Sequence, residues 1–122
     1  MKKIAIITGA SSGIGKVFAT TLSRHGEYDE VWAIARNAVR LDALKEVVPF
    51  PVKPISLDLS DASFIEKMKE MLEEEKPNVK ILINCSGYGK FEATEKVPIE
   101  DNLGMIDLNC RALTAMTLIT LP

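Results

Sequence analysis

Short, continuously apolar runs recur along the 122-residue chain, separated by longer segments with a different pattern. Three of these runs, at residues 3–8, 31–35 and 79–85, are five to seven residues long and show little alternation of apolar and polar positions. Both properties are typical of parallel strands that are buried on two faces. A further strand is predicted at residues 53–59, KPISLDL, which makes four.

The segments between these runs carry apolar residues at intervals of three and four, the spacing of amphipathic helices. Helices are predicted from residue 12 to Gly26, over 38–48 with Asn37 as cap, from Ser60 or Asp61 to about 75, and over 99–121. The third helix should bury a stripe formed by Phe64, Ile65, Met68, Met71 and Leu72. Because strands that alternate with helices favour parallel pairing through right-handed crossovers, we expect a single α/β domain over residues 1–122.

Composition narrows the possible partners and locations. The net charge is −2, with 15 basic and 17 acidic residues, which offers no basic surface for nucleic acid or an anionic membrane. The longest apolar region, 103–121, is interrupted by Asp107, Asn109 and Arg111, so no membrane span is predicted. Two distant cysteines fit no metal-ligand spacing, so we expect free thiols, no metal and a cytoplasmic location.

Three glycines follow the first strand within the segment ITGASSGIGK, at Gly9, Gly13 and Gly15. Glycine allows a tight turn with positive φ, and the missing Cβ lets the backbone approach a ligand closely. The free N–H groups at the start of the next helix attract an anion, and Ser11 and Ser12 add hydroxyl donors. The turn is therefore predicted to bind a phosphate group, with glycines that serve only packing as the alternative.

Four segments carry a resemblance to a known family: TGASSGIG at 8–15, LDLS at 57–60, NCSG at 84–87 and IDLNCRAL at 106–113. In these segments and in their order, the whole chain resembles the short-chain dehydrogenase/reductase family. The family usually has Asn-Asn-Ala-Gly at the third segment, so Cys85 and Ser86 depart from its pattern while Asn84 and Gly87 keep it.

The resemblance implies a Rossmann-type, doubly wound fold with about four parallel strands in the order 3-2-1-4, ending before the family's fifth strand. It also implies that Asp58 hydrogen-bonds the adenine ring of a dinucleotide. Asn109 falls at the asparagine of the family's catalytic group, where it is thought to help hold a water in a proton relay. The alternative for Asn109 is a polar helix residue without such a role.

The residue at the end of the second strand bears on which dinucleotide is bound. An acidic residue there favours the ribose hydroxyl of NAD, whereas an arginine accommodates the 2′-phosphate of NADP. The sequence IARN, 34–37, has no acid, and the planar guanidinium of Arg36 suits a phosphate. NADP(H) is therefore predicted in preference to NAD(H), with a solvated Arg36 as the alternative. The predicted cofactor-binding residues are Gly9, Ser11, Ser12, Gly13, Ile14, Gly15, Arg36, Asp58, Leu59, Asn84, Ser86 and Gly87.

The resemblance implies hydride transfer between nicotinamide and a carbonyl or alcohol, performed with a Ser and a Tyr-x-x-x-Lys pair. Tyr28 is followed four residues later by Trp32 and Tyr88 by Glu92, so neither forms the pair. We therefore expect the cofactor-binding portion of an oxidoreductase, inactive alone. It should form a homo-oligomer or associate with a chain that carries the other groups. A non-catalytic dinucleotide-binding or interaction module, and a truncated product that binds nothing stably, are the alternatives.

Overall fold

A computed structural model describes residues 2–10, 13–24, 26–59, 61–85, 99–100 and 107–121 of the protein. Four parallel strands form one sheet in the order β3-β2-β1-β4. The strands are β1 Lys3–Thr8, β2 Glu30–Ala35, β3 Val52–Ser56 and β4 Asn78–Asn84. The predicted α/β architecture, the parallel pairing and the strand order are thereby confirmed.

Three helices connect the strands at the predicted places, and a fourth comes after β4. They are α1 Gly13–Thr20, α2 Ala38–Ala43, α3 Phe64–Glu75 and α4 Leu113–Thr120. Short 3-10 turns follow the first two helices, at Leu22–Arg24 and Leu44–Glu46. Widened, π-type helical turns at Asp107–Ala112 lead into α4. Within the described part of the chain, no helix is long and apolar enough to cross a membrane.

Three helices are shorter than the sequence predicts: the regular part of α1 ends at Thr20 rather than near Gly26, and α2 and α3 are shortened as well. The Asn37 cap is confirmed, since its side-chain oxygen accepts a hydrogen bond from the Arg40 N–H at 3.0 Å. The regular part of α2 nevertheless ends at Ala43, and tighter turns follow because Pro49 disfavours a helical conformation at Val48.

The start of α3 also differs from the prediction. The helix begins at Phe64, and Ser60 lies outside the described residues. Asp61 caps the preceding turn, where its carboxylate accepts the Ser63 N–H at 3.0 Å. That backbone bond is the main reason why the pKa of Asp61 lies below its usual value. The local hydrogen bond to Asp61 therefore competes with an earlier helix start.

Each face of the sheet is covered by its own apolar cluster. On one face α3 and α4 contribute Phe64, Met68 and Met116, all buried, with Ile65, Met71 and Leu72 packed at the margin. On the other face α1 and α2 contribute Ala19 and Leu41, again buried. Helices on both faces explain why the strand residues are apolar without alternation, and they make the sheet doubly wound.

A β-bulge in β4 shifts the direction of its side chains. The pairing with β1 passes from Ile4–Val79 to Ala5–Ile81, which leaves Lys80 exposed and outside the register. Val79 and Ile81 consequently pack in opposite clusters, although residues two apart in a regular strand share a face.

Trp32, the single tryptophan of the chain, is buried in β2. Its indole N–H donates to the Glu30 carboxylate at 2.9 Å, and the Lys53 ammonium lies 4.9 Å from the ring centroid. Lys53 in turn forms an ion pair with Glu75 at the end of α3. The buried ring therefore has a partner for its one polar atom, and its emission can report unfolding.

Helix α2 offers a matched pair of substitutions that tests the doubly covered sheet. Leu41 is fully buried, whereas Val39 on the same helix is 79% exposed. We expect Leu41→Ala to lower the free energy of unfolding by about 2–5 kcal/mol, because it leaves a cavity under the sheet. Val39→Ala should change it by no more than about 0.5 kcal/mol. Urea unfolding followed by Trp32 emission measures both, and equal effects would contradict the assignment of this core.

Candidate functional site

The carboxyl ends of the four strands meet at one edge of the sheet. Thr8 pairs with Ile34 on one side and with Asn84 on the other, and Ala35 pairs with Ser56. Helix α1, which follows β1 in the chain, covers one face of the sheet, and α4, which follows β4, covers the other. The strand order thus reverses beside β1, and open α/β sheets bind ligands at such a point.

The glycine turn lies directly over this edge. Gly9 has a φ of 65°, and its N–H donates to the Ile34 carbonyl at 2.9 Å. A Cβ atom on Gly15 would lie 2.1 Å from the Gly9 carbonyl oxygen. Gly15 therefore permits a close approach between α1 and the end of β1 that any side chain would prevent.

Helix α1 begins at Gly13, so the backbone N–H groups of its first turn lie at this edge. Ile14 and Gly15 belong to the same turn of helix. Ser11 and Ser12 lie outside the described residues. The start of α1 supplies the positive end of a helix dipole and N–H donors, an arrangement suited to an anion.

Thr8 connects the ends of β1 and β4. It is buried, and its hydroxyl oxygen accepts the Cys85 N–H at 3.1 Å. Burial raises the pKa of the Cys85 thiol, which keeps it protonated near neutral pH. Ser86 and Gly87, which follow, lie outside the described residues. Thr8 was not singled out from the sequence, although a polar residue that ends an apolar strand was a usable signal.

Asn84 joins the end of β4 to α4. Its side-chain amide donates to the Thr117 hydroxyl at 3.3 Å, and that hydroxyl donates to the Leu113 carbonyl at 2.8 Å. Asn109 lies in the widened turns that precede α4. Such turns occur frequently at functional sites. The structure therefore directs the Asn84 side chain toward the helix that follows Asn109.

Arg36 follows the last residue of β2 and is exposed. Within the described ranges its guanidinium has no ion-pair partner. Asp58, beyond the end of β3, is also exposed, and its carbonyl accepts the Asp61 N–H at 3.1 Å. Leu59 is only 5% exposed, and its side chain packs in the cluster under α3.

Ser56 is a second residue that the sequence did not single out. Its hydroxyl donates to the Arg36 carbonyl at 2.9 Å and so links the ends of β3 and β2. A single serine at the end of a predicted strand gives no distinguishing pattern. Among the described residues, no three His, Cys, Asp or Glu side chains lie close enough together to hold a metal ion.

Comparison with known proteins places this arrangement in a family. The sequence model of the short chain dehydrogenases matches residues 3–122. The chain belongs to the short-chain dehydrogenase/reductase family. The resemblance found from the four sequence segments is thereby confirmed. The chain spans about half the length of the curated short-chain dehydrogenase/reductase relatives that it matches first.

Named relatives include users of both dinucleotides. An NADP-dependent 3-hydroxy acid dehydrogenase of Salmonella typhimurium is 32% identical over 120 residues, 98% of this chain and 48% of the relative. An NAD-dependent glycerol dehydrogenase of Listeria innocua is 31% identical over 98 residues, 80% of this chain and 38% of the relative. A short-chain dehydrogenase from Sphingobium yanoikuyae, solved in complex with NADPH, superposes with a TM-score of 0.83. It is 30% identical, and the match covers 97% of this chain and 46% of that one.

The close approach of Gly15 to Gly9 can be tested with Gly15→Ala, which has two opposing effects on the free energy of unfolding. Helix propensity alone favours Gly15→Ala by about 1 kcal/mol. The added Cβ would meet a backbone oxygen that no rotamer change can move, and such overpacking costs about 1–3 kcal/mol or more. We expect a net loss of stability in urea unfolding. Lys16→Ala, an exposed change on the same helix, is the control and should be nearly neutral. A Gly15→Ala protein as stable as the parent would contradict the close approach.

Proposed function

We propose that this chain binds NADP(H) and forms the cofactor-binding portion of an oxidoreductase that transfers a hydride between nicotinamide and a carbonyl or alcohol. The observation that carries the choice of cofactor is the exposed guanidinium of Arg36, next to the end of β2 and without an acidic partner among the described residues.

The pyrophosphate fits the glycine turn. Because Gly15 has no Cβ, α1 can approach Gly9 closely. The helix therefore begins immediately beside the sheet edge. The first-turn N–H groups and the helix dipole favour a negative group there. In this proposal Gly9, Gly13 and Gly15 shape the turn, while Ser11, Ser12 and Ile14 surround the phosphates.

The adenosine end fits the edge formed by β2 and β3. Ile34 accepts the N–H groups of Gly9 at 2.9 Å and of Ala10 at 3.4 Å, so the glycine turn and the end of β2 are joined. Arg36 lies two residues beyond Ile34 and can pair with a 2′-phosphate in a planar, bidentate way. Asp58 and the Leu59 backbone would contact the adenine ring.

The nicotinamide end lies toward β4 and α4. When bound, NADP(H) supplies the hydride donor or acceptor of the reaction. Asn84 ends β4, Ser86 and Gly87 follow it in the sequence, and Asn109 would hold a water for proton transfer. Because neither tyrosine in these 122 residues has a lysine four positions later, we assign this chain the binding and orientation of the dinucleotide.

Substitution of Arg36 tests the choice of cofactor. A charge-assisted contact to phosphate contributes about 1.5–3 kcal/mol, so Arg36→Ala should weaken NADPH binding about 10- to 100-fold. NADH lacks the 2′-phosphate, and its affinity should change by less than about twofold. Titration of nicotinamide fluorescence with both cofactors measures the two dissociation constants.

Arg24 provides a control with the same loss of charge. It is exposed and lies after α1, before the chain enters β2. The Asp29 N–H, just before β2, donates to the Lys3 carbonyl at the amino end of β1, which is the end of the sheet opposite the proposed site. Arg24→Ala should leave both affinities unchanged. Equal binding of NADPH and NADH by the parent protein would refute the preference, and binding of neither would refute the function.

We also propose that further polypeptide covers the side of β4 away from β1, either a second copy of this chain or a segment that carries the Ser, Tyr and Lys. In the described residues β4 pairs with β1 alone, and Leu118 in α4 and Leu121 just after it are 66% and 62% exposed. Unpaired strand edges and apolar patches of this kind favour association.

Sedimentation velocity over a range of protein concentrations tests self-association. We expect a species larger than a monomer, which Leu118→Lys converts toward the monomer because a buried ammonium is costly. Val39→Lys, an exposed position on the helix that covers the opposite face, is the control and should leave the sedimentation coefficient unchanged. A monomer at every concentration would contradict the second-copy form of the proposal.

A further inference from the structure

Ser56 contacts the residue on which the proposed cofactor preference depends. The parallel ladder between β2 and β3 ends with the pair Ala35–Ser56, and the Leu57 N–H donates to the Ala35 carbonyl at 3.0 Å. Beyond this last rung, the Ser56 hydroxyl donates to the Arg36 carbonyl at 2.9 Å. The Ser56 side chain thus adds one further hydrogen bond between the two chain segments, just beyond the point where the backbone ladder ends.

The residue after Arg36 is held as well. Asn37 adopts φ −86° and ψ 100°, its side chain accepts the Arg40 N–H, and its carbonyl accepts the Leu41 N–H at 3.1 Å. Arg36 therefore lies between a bond to β3 and the cap of α2. Its backbone direction is determined on both sides, while its side chain remains exposed.

A fixed backbone and an exposed side chain are the conditions for a pre-organised ligand contact. Binding costs less when fewer torsions must be ordered, and a bidentate pair requires the guanidinium at a definite distance and angle. Loss of the Ser56 bond frees the carbonyl of Arg36 and lets the following peptide rotate. The guanidinium would then have to be oriented at the moment of binding.

From this geometry we infer that Ser56 is a positioning residue that directs Arg36 toward the 2′-phosphate and thereby sets the preference for NADPH over NADH. The inference rests on the proposed function, because it assigns Ser56 a role at the same site. Ser56 itself makes no contact with the dinucleotide in this proposal and acts through Arg36.

The test compares dissociation constants for NADPH and NADH in the parent protein, Ser56→Ala, Ser56→Thr, Arg36→Ala and the double variant. One neutral hydrogen bond corresponds to about a three- to tenfold change in affinity. We expect Ser56→Ala to weaken NADPH binding by that factor and to leave NADH binding within about twofold. Ser56→Thr keeps the hydroxyl and should restore most of the NADPH affinity. Ser23→Ala, an exposed serine after α1, is the matched control.

The double variant separates positioning from a general structural role. If Ser56 acts through Arg36, Ser56→Ala should have no further effect on NADPH binding once Arg36 is alanine. The inference is overturned if the effect persists in the Arg36→Ala background, or if Ser56→Ala weakens both cofactors equally. A ratio of affinities that Arg36→Ala leaves unchanged would instead refute the choice of NADP(H), and with it any role of Ser56 in that choice.

Discussion

Helix α1 can begin over the end of β1 because Gly15 has no side chain where the Gly9 carbonyl oxygen lies. A Cβ at 2.1 Å from that oxygen would push the helix away from the strand. The start of the helix, the burial of Ala19 and Leu22 behind it and the position of the glycine turn all follow from this approach. The positive φ of Gly9 then turns the chain so that its N–H reaches β2. One steric constraint thus links the core of the domain to its functional edge.

The edge itself is built largely from backbone bonds between neighbouring strand ends. β1 is joined to β2 through Gly9 and Ile34, β2 to β3 through Leu57 and Ala35, and β4 to β1 through the Cys85 N–H and the Thr8 hydroxyl. These groups are satisfied inside the protein, so they supply rigidity rather than ligand contacts. The groups available to a ligand are the first-turn N–H groups of α1 and exposed side chains such as Arg36. The backbone that carries them is already fixed, so ligand binding need not order it.

Much of this fold is visible in the sequence because continuous apolar runs and helical spacing are unambiguous in an α/β chain. The strands and the Asn37 cap follow from such local patterns, whereas the strand order is implied by the resemblance to the family. The bulge at Lys80 does not, because β4 is apolar on both faces and a change of direction leaves its pattern intact. The widened turns at Asp107–Ala112 do not either, because the spacing of apolar residues does not distinguish them from a regular α-helix. At the site, glycines and Arg36 carry recognisable chemistry, whereas the Ser56 bond depends on which residue the neighbouring strand brings beside it.

The glycine turn lies over the central strand β1, whereas Arg36 and Ser56 are exposed and lie toward the margin of the sheet. These two parts of the site therefore differ in how well they tolerate substitution. Replacements at the glycines would disturb the core, while replacements at Arg36 or Ser56 would disturb little packing. In the proposed site, a change of dinucleotide would therefore require only exposed residues to change, and the turn proposed to hold the pyrophosphate could stay the same.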